Sequence, residues 1–309
     1  MLESHHTGYL LLAVIQFLTG VLVNGTIVVV NGIDLMQQRK VIPLALLVSC
    51  LAISRTGLQL VIFCTDLAMF SLIGFLQLAE RSTVFMFVNE LGLWFATWLS
   101  VFYCAKIATI THPVFSWLKT RISRLVPWLI LGSLVYASSI SVFHSKYKWI
   151  FSKEDLLAFL YQNATNPLKE MSTLKSVFIF TQFSLPLLIF LMSALLLIYS
   201  LGRHTQQMRN TVMGPRGPRT HVHISALLSI LSFLGLYLCH YTAMALFFFQ
   251  IFKIGSLRYF FCTLVIGSYH TGHSVNLILG NPKLERFRRK LLLHRKCCHT
   301  PQPSKEMPW

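Results

Sequence analysis

Two ionisable residues stand where water should be absent. Arg55 lies inside the apolar run 43 to 65, and Glu90, preceded by Asn89, lies inside the run 83 to 107. A charge at the centre of a bilayer costs about 2.5–3.5 kcal/mol even on lenient insertion scales, so each of these needs a partner or a task. At the rise of an α-helix, Arg55 sits about 12 residues, or roughly 18 Å, into its run, close to the midplane. It must face other helices, and Asn24, Ser274 and Asn276 are the natural partners. A fixed polar clasp is the first reading of Arg55, and a moving switch element the second. Glu90 belongs to a stripe with Phe85, Met86, Asn89, Leu93 and Trp94, at steps of one, three and four. An apolar cavity with a few convergent polar groups is the usual chemistry of a small-molecule site. The alternative is that Asn89 and Glu90 bond only to neighbouring helices, an expensive use of a glutamate.

Further residues extend the expected site. Tyr237, His240, Tyr241 and Met244 share one helical face, and Thr263, Ile266 and His270 another. Phe178 and Gln182 precede Pro186, which has no N–H to donate and loosens its helix, as a hinge or as a tolerated kink. Metal and catalytic chemistry find no support. His270 and His273 are three apart, and His221 and His223 stand near one another, but no carboxylate-rich histidine box accompanies them. Phosphate-binding glycine loops, nucleophile elbows and paired catalytic carboxylates are missing too, so neither an enzyme nor a cofactor is expected.

The elements that must position these residues are transmembrane helices. Of 309 residues, 54% are hydrophobic and only 12% charged, against about a quarter charged in soluble domains. A span needs about 20 apolar residues, and seven runs qualify, near 9 to 32, 43 to 65, 83 to 107, 125 to 143, 176 to 201, 224 to 250 and 259 to 280. The stretch Leu67 to Leu78 is too short to cross and reads as a helical extension and outer loop. Residues 1–280 form the seven-helix domain and 281–309 a cytoplasmic tail. In the tail, Leu284, Phe287, Leu291 and Leu292 alternate with cations, as in an interfacial amphipathic helix. Cys297 and Cys298 follow it, as acylation sites or as idle thiols. The seven cysteines show neither metal-ligand nor disulfide-framework spacing.

Charge sets the orientation. Eighteen Lys and Arg fall on one side of the spans, among them Arg39, Lys106, Lys119, Arg121, Arg124, Arg203 and the tail, and eight on the other. Cations are retained in the cytoplasm, so the N-terminus is extracellular and the C-terminus cytoplasmic. Asn163-Ala164-Thr165 then falls outside as an N-glycosylation acceptor. Asn24-Gly25-Thr26 lies within a span and reads as a helix-packing site. Because the cations sit between apolar runs, anionic lipid explains the net charge of +17 and nucleic acid does not.

The motifs resemble those of the type 2, or bitter, taste receptors among the G-protein-coupled receptors. The likeness rests on Asn24-Gly25-Thr26-Ile27, on Leu51-Ala52-Ile53-Ser54-Arg55 and on Leu93-Trp94-Phe95-Ala96-Thr97. It continues through Phe102-Tyr103-Cys104-Ala105-Lys106-Ile107-Ala108, Ser200-Leu201 with His204 and Met208, and His273-Ser274 with Leu277-Ile278-Leu279. The Asp-Arg-Tyr signature of rhodopsin-like receptors is missing. Two departures are cytoplasmic: Leu228 and Glu285 stand where the family usually has lysine.

The resemblance implies a plasma-membrane receptor for small bitter agonists that activates a gustducin-like, inhibitory-class heterotrimeric G protein. Agonists would lodge among Phe85, Met86, Asn89, Glu90, Phe178, Gln182, Tyr237, His240, Tyr241, Met244, Thr263 and Ile266. Coupling and switching would fall to Arg55, Tyr103, Lys106, His204, Met208, His223, His273 and Ser274. Homo- or hetero-oligomerisation stays open. The rival class, a transporter, would show internal repeats and paired broken helices, and neither is found.

Overall fold

A computed structural model describes residues 2–38, 42–71, 75–108, 112–160, 182, 184–203, 206, 218–248 and 257–280. Seven helices account for nearly all of them: α1 (Leu2–Gln38), α2 (Pro43–Ser71), α3 (Phe75–Ile107), α4 (Pro113–Leu160), α5 (Ser184–Arg203), α6 (Pro218–Phe248) and α7 (Leu257–Gly280). Among the described residues there is no strand.

Five of these helices contain a stretch long and apolar enough to cross a bilayer: Thr7–Gln37, Pro43–Leu67, Thr83–Ile107, Phe115–Phe143 and Ser184–Arg203. In α6 the shorter stretch Ile230–Met244 is apolar, and α7 is diluted by Thr263, His270, Thr271, His273, Ser274 and Asn276. Large apolar side chains such as Leu11, Leu18, Leu22, Leu60, Trp128, Leu188 and Phe261 point outward, while Asn24, Arg55, Asn89, Glu90, His240 and His273 are buried. That inversion of a soluble fold is what lipid selects, because lipid tails leave no force to bury leucine and every reason to bury polar groups. Lipid-facing hydroxyls are satisfied within their own helix: Thr19, Thr26, Thr242, Ser138 and Ser139 each donate to the carbonyl four residues back.

The helices outrun the apolar runs that announced them. α3 starts at Phe75 rather than near 83, so the apolar stretch Leu67 to Leu78 is shared between the end of α2 and the start of α3. α4 starts at Pro113 rather than near 125, which places Lys119, Arg121 and Arg124 in the helix and not in a connection. Its first turn is closed by the His112 carbonyl, which accepts from the Phe115 and Ser116 amides at 3.0 Å. α6 begins at Pro218 rather than near 224. Proline suits the first helical position because its missing N–H has no partner there anyway, and Pro43, Pro113 and Pro218 all hold that position.

α1 packs on α2 and α7, α2 on α3, α3 on α4, and α6 on α7. α5 joins through α3, where Ser193 donates to Ser100 at 2.7 Å and Thr97 to the Pro186 carbonyl at 3.2 Å. It also meets α6, where the Phe190 and Tyr237 rings stack at 4.1 Å. From Asn89 to Thr97, α3 is buried at every position, so it is the central helix rather than one with a single inward stripe.

Candidate functional site

Polar contacts in the bundle form three groups. Near the middle, Arg55 of α2 donates from Nη1 to Ser274 Oγ of α7 at 3.1 Å, and Ser274 Oγ lies 2.6 Å from Asn24 Oδ1 of α1. Asn24 Nδ2 donates to the Gly20 carbonyl, so the triplet Asn24-Gly25-Thr26 is a packing site, as its position in the span implies. Two of the three expected partners of Arg55 therefore stand in one chain of bonds. Asn276 does not, because it donates instead to Ser232 of α6 at 2.9 Å. Two turns of α7 separate Ser274 from Ile266, but only half a turn separates it from Asn276, which is enough to aim the amide at another helix.

The second group surrounds Glu90. Its carboxylate is fully buried and faces the Gln182 amide, yet no atom of either side chain reaches hydrogen-bonding geometry. Tyr136 of α4 and Tyr237 of α6 stand within electrostatic reach of the carboxylate. Asn89 is buried with both amide atoms unpartnered, and so is the Trp94 indole N–H one turn further on. Trp94 is fixed between Trp98, stacked at 5.3 Å, and the edge of Tyr136 at 5.4 Å. Trp98 in turn donates to Ser133 at 2.9 Å. Buried polar atoms in a folded protein nearly always have a partner, so this concentration of unmet donors and acceptors is a place for a ligand or for water.

α6 and α7 extend this group. Tyr237, Met244 and Ile266 share one apolar cluster with Tyr269 and Phe190. His240 stacks on Tyr269 at 4.4 Å and meets His270 at 5.0 Å. Met86 is buried, while Phe85 and Tyr241 are half-buried and pack against the same cluster. Tyr269, at the centre of the rings, and Phe190 were not singled out from sequence. A tyrosine or phenylalanine in an apolar run carries no period of its own.

Of the third group only Thr263 was foreseen, and as a ligand contact. Tyr9 of α1 donates to Asp66 Oδ1 of α2 at 2.8 Å and shares a bond of 2.8 Å with Thr263 Oγ1 of α7. Thr263 also donates to the Phe260 carbonyl, so this expected ligand contact is engaged on the α1–α2–α7 side. Asp66 could have been flagged as Arg55 was, since it is a carboxylate at the end of an apolar run, and Tyr9 stands at the start of the first run, where an interfacial aromatic belongs.

At the other end of α3, Tyr103 is half-buried, edge-on to Phe102 at 6.5 Å, and Lys106 is exposed in the last turn. His273 packs against Phe233 at 3.8 Å. His223 lies in α6, where the backbone alone is described. Phe178, His204, Met208, Asn163, Cys297 and Cys298 lie outside the described residues, as does the tail from 281 onward. No group of three or more His, Cys, Asp or Glu able to hold a metal occurs among the described residues.

Apolar helices with polar interiors, joined in a ring, define a multi-pass α-helical membrane protein. Residues 1–296 match the family model described as "Taste receptor protein (TAS2R)". Taste receptor type 2 member 1 of Pan paniscus is 54% identical over 298 residues, covering 96% of this chain and 100% of the relative. Taste receptor type 2 member 119 of Mus musculus is 51% identical, covering 97% of this chain and 89% of its own. Taste receptor type 2 member 2 of Homo sapiens is 33% identical over 91% of this chain and 94% of its own. The chain belongs to the taste receptor type 2 family, and is a receptor rather than an enzyme.

Proposed function

We propose that this receptor detects small bitter molecules in the outer half of its bundle and reports them to a gustducin-like, inhibitory-class heterotrimeric G protein. The observation that carries the reading is the set of buried, unpartnered polar atoms of Asn89, Glu90 and Gln182 beside Tyr237. Glu90 supplies charge or hydrogen-bond acceptors to the agonist, and Phe85, Met86, Met244 and Ile266 supply apolar contact. His240, Tyr241, Phe178 and Thr263 complete the expected lining. Activation requires that the agonist favour one helix arrangement over another, since equal affinity for both shifts nothing.

In this reading the N-terminus is extracellular and the chain is a multi-pass protein of the plasma membrane, with residues 1–280 forming the receptor domain. Asn163 carries glycan outside. The segment 281–309 lies along the inner leaflet, with Cys297 and Cys298 available for acylation. Tyr103, Lys106, His204, Met208 and His223 form the coupling end, linked to the pocket through Arg55, His273 and Ser274.

The test is the calcium response of cells expressing the receptor with a chimeric G protein. Losing a hydrogen bond to a buried charged group costs about 1.5–3 kcal/mol. Glu90→Gln should therefore raise the EC50 of a cationic agonist by about 10- to 100-fold at unchanged surface expression. Asn89→Ala should raise it less, because only neutral bonds are lost. Unaltered potency in both variants would move the pocket elsewhere.

A further inference from the structure

Arg55 is the one cation whose side chain is seen fully buried among the described residues, and nothing described there neutralises it. Its Nη1 is bonded to Ser274, a neutral hydroxyl, and its Nη2 has no partner. Arginine keeps its charge in any protein setting. The two buried carboxylates are committed elsewhere: Asp66 accepts from Tyr9, Glu90 faces Gln182, and neither is among the groups acting on Arg55.

Polar rings surround the guanidinium. Its central carbon lies 5.8 Å from the centroid of the Tyr269 ring, and the Tyr269 hydroxyl faces it, close enough to act on the charge yet short of hydrogen-bonding geometry. His270 and His273 follow on the same helix, are fully buried, and lie within electrostatic reach of Arg55. All four of their ring nitrogens are unbonded, and His240 beside them faces the Ile266 backbone. A neutral imidazole carries one N–H and one acceptor nitrogen, and a phenol an O–H and an acceptor oxygen, so these groups can turn donors toward an anion but bring no negative charge of their own. The acceptor oxygens nearby, Ser274 Oγ and Asn24 Oδ1, are already in the chain of bonds to Arg55.

An unpaired buried cation ringed by unbonded neutral groups lacks one thing, a negative charge. Water would satisfy donors but leave the charge uncompensated, which a low-dielectric interior penalises heavily. We propose that Arg55 Nη2, the Tyr269 hydroxyl and the N–H groups of His270 and His273 bind a small monovalent anion, of chloride size, between α2 and α7. One net positive charge calls for one negative charge, and full enclosure by side chains favours a bare ion over a phosphate group. The anion ties α2 to α7 next to the bond that ties α7 to α1. It lies apart from the agonist contacts of Asn89 and Glu90 and does not depend on them.

Thermal unfolding of the purified full-length receptor tests this, with gluconate replaced by chloride at constant sodium and constant ionic strength. The melting temperature should rise saturably with chloride. At ten times its dissociation constant the ion shifts the folding equilibrium by about elevenfold. Bromide should substitute for chloride. Tyr269→Phe, which keeps the ring and removes one donor, should move the chloride midpoint upward by about threefold or more. An unmoved midpoint in that variant overturns the placement of the ion beside Tyr269. Superimposable chloride and gluconate curves for the unaltered receptor, or stabilisation that follows ionic strength whatever the anion, overturn the proposal without recourse to any variant.

Discussion

Replacing Tyr9 by Phe removes one oxygen and little else, which makes it the cleanest probe of the Tyr9–Asp66–Thr263 group. The ring contact with Phe260, at 4.5 Å between centroids, is retained, and Thr263 keeps the Phe260 carbonyl as acceptor. Asp66, which is buried, loses the hydroxyl that bonds it at 2.8 Å. Interhelical hydrogen bonds in membranes average about 0.6 kcal/mol, with a measured maximum near 1.7. A bond to a carboxylate is roughly twice as strong as a neutral one. The expected loss is therefore about 1–2 kcal/mol, near the top of that range. Unfolding of detergent-solubilised receptor, arranged as a double-mutant cycle with Asp66→Ala, isolates the pair. Tyr9→Phe should cost its full amount with Asp66 present and less than about 0.5 kcal/mol without it. Equal costs in the two backgrounds would show that the Tyr9 hydroxyl acts through Thr263 or through packing, and would refute the assignment.

Two further outcomes follow from the same geometry. A methyl group at Gly20 would fall on the side-chain amide of Gln59, whose Nε2 donates to Thr271 of α7 at 2.7 Å. Gly20→Ala should thus displace that bond and lower stability by about 1–3 kcal/mol. Gly25→Ala meets nothing within 4 Å and should stay within about 0.5 kcal/mol of the parent. Comparable melting temperatures for the two variants would contradict the close approach of α1 and α2. Lys106 is exposed at the end of α3, so Lys106→Ala should leave agonist affinity and stability unchanged while lowering maximal G-protein activation. Weakened agonist binding with intact coupling would reverse that assignment.

The fold was legible wherever the bilayer imposes a length. Seven apolar runs correspond to seven helices, because a chain in lipid must satisfy every backbone group internally and the helix does so segment by segment. The ends were less legible. Apolarity marks where a helix meets hydrocarbon, whereas Pro113 and Pro218 mark where it begins, and α4 carries Lys119, Arg121 and Arg124 in the turns between the two. α7 is less apolar than the five helices that meet the length and hydropathy of a span, since Thr263, His270, Thr271, His273, Ser274 and Asn276 interrupt it. Ser274 was read as interior because Arg55 needs a partner, and the two are bonded.

At the site, residue type told more than spacing. Arg55 and Glu90 were found because a charge in an apolar run has so few places to go. The same logic reaches Asp66, which was missed because it stands at the edge of its run, where water is usually near. Yet burial alone does not make a ligand site. Asp66 is buried and bonded, and so is a structural tie between α1, α2 and α7. Glu90 is buried with neither oxygen bonded, and Arg55 is buried with one of its two terminal nitrogens unbonded. The charges at their centres are opposite, a carboxyl among unmet amide, indole and phenol atoms and a guanidinium among unmet phenol and imidazole atoms. A cationic agonist at one and a small anion at the other would each complete a set of partners that the helices leave unfinished, so the two sites should respond to different solutes and can be titrated separately.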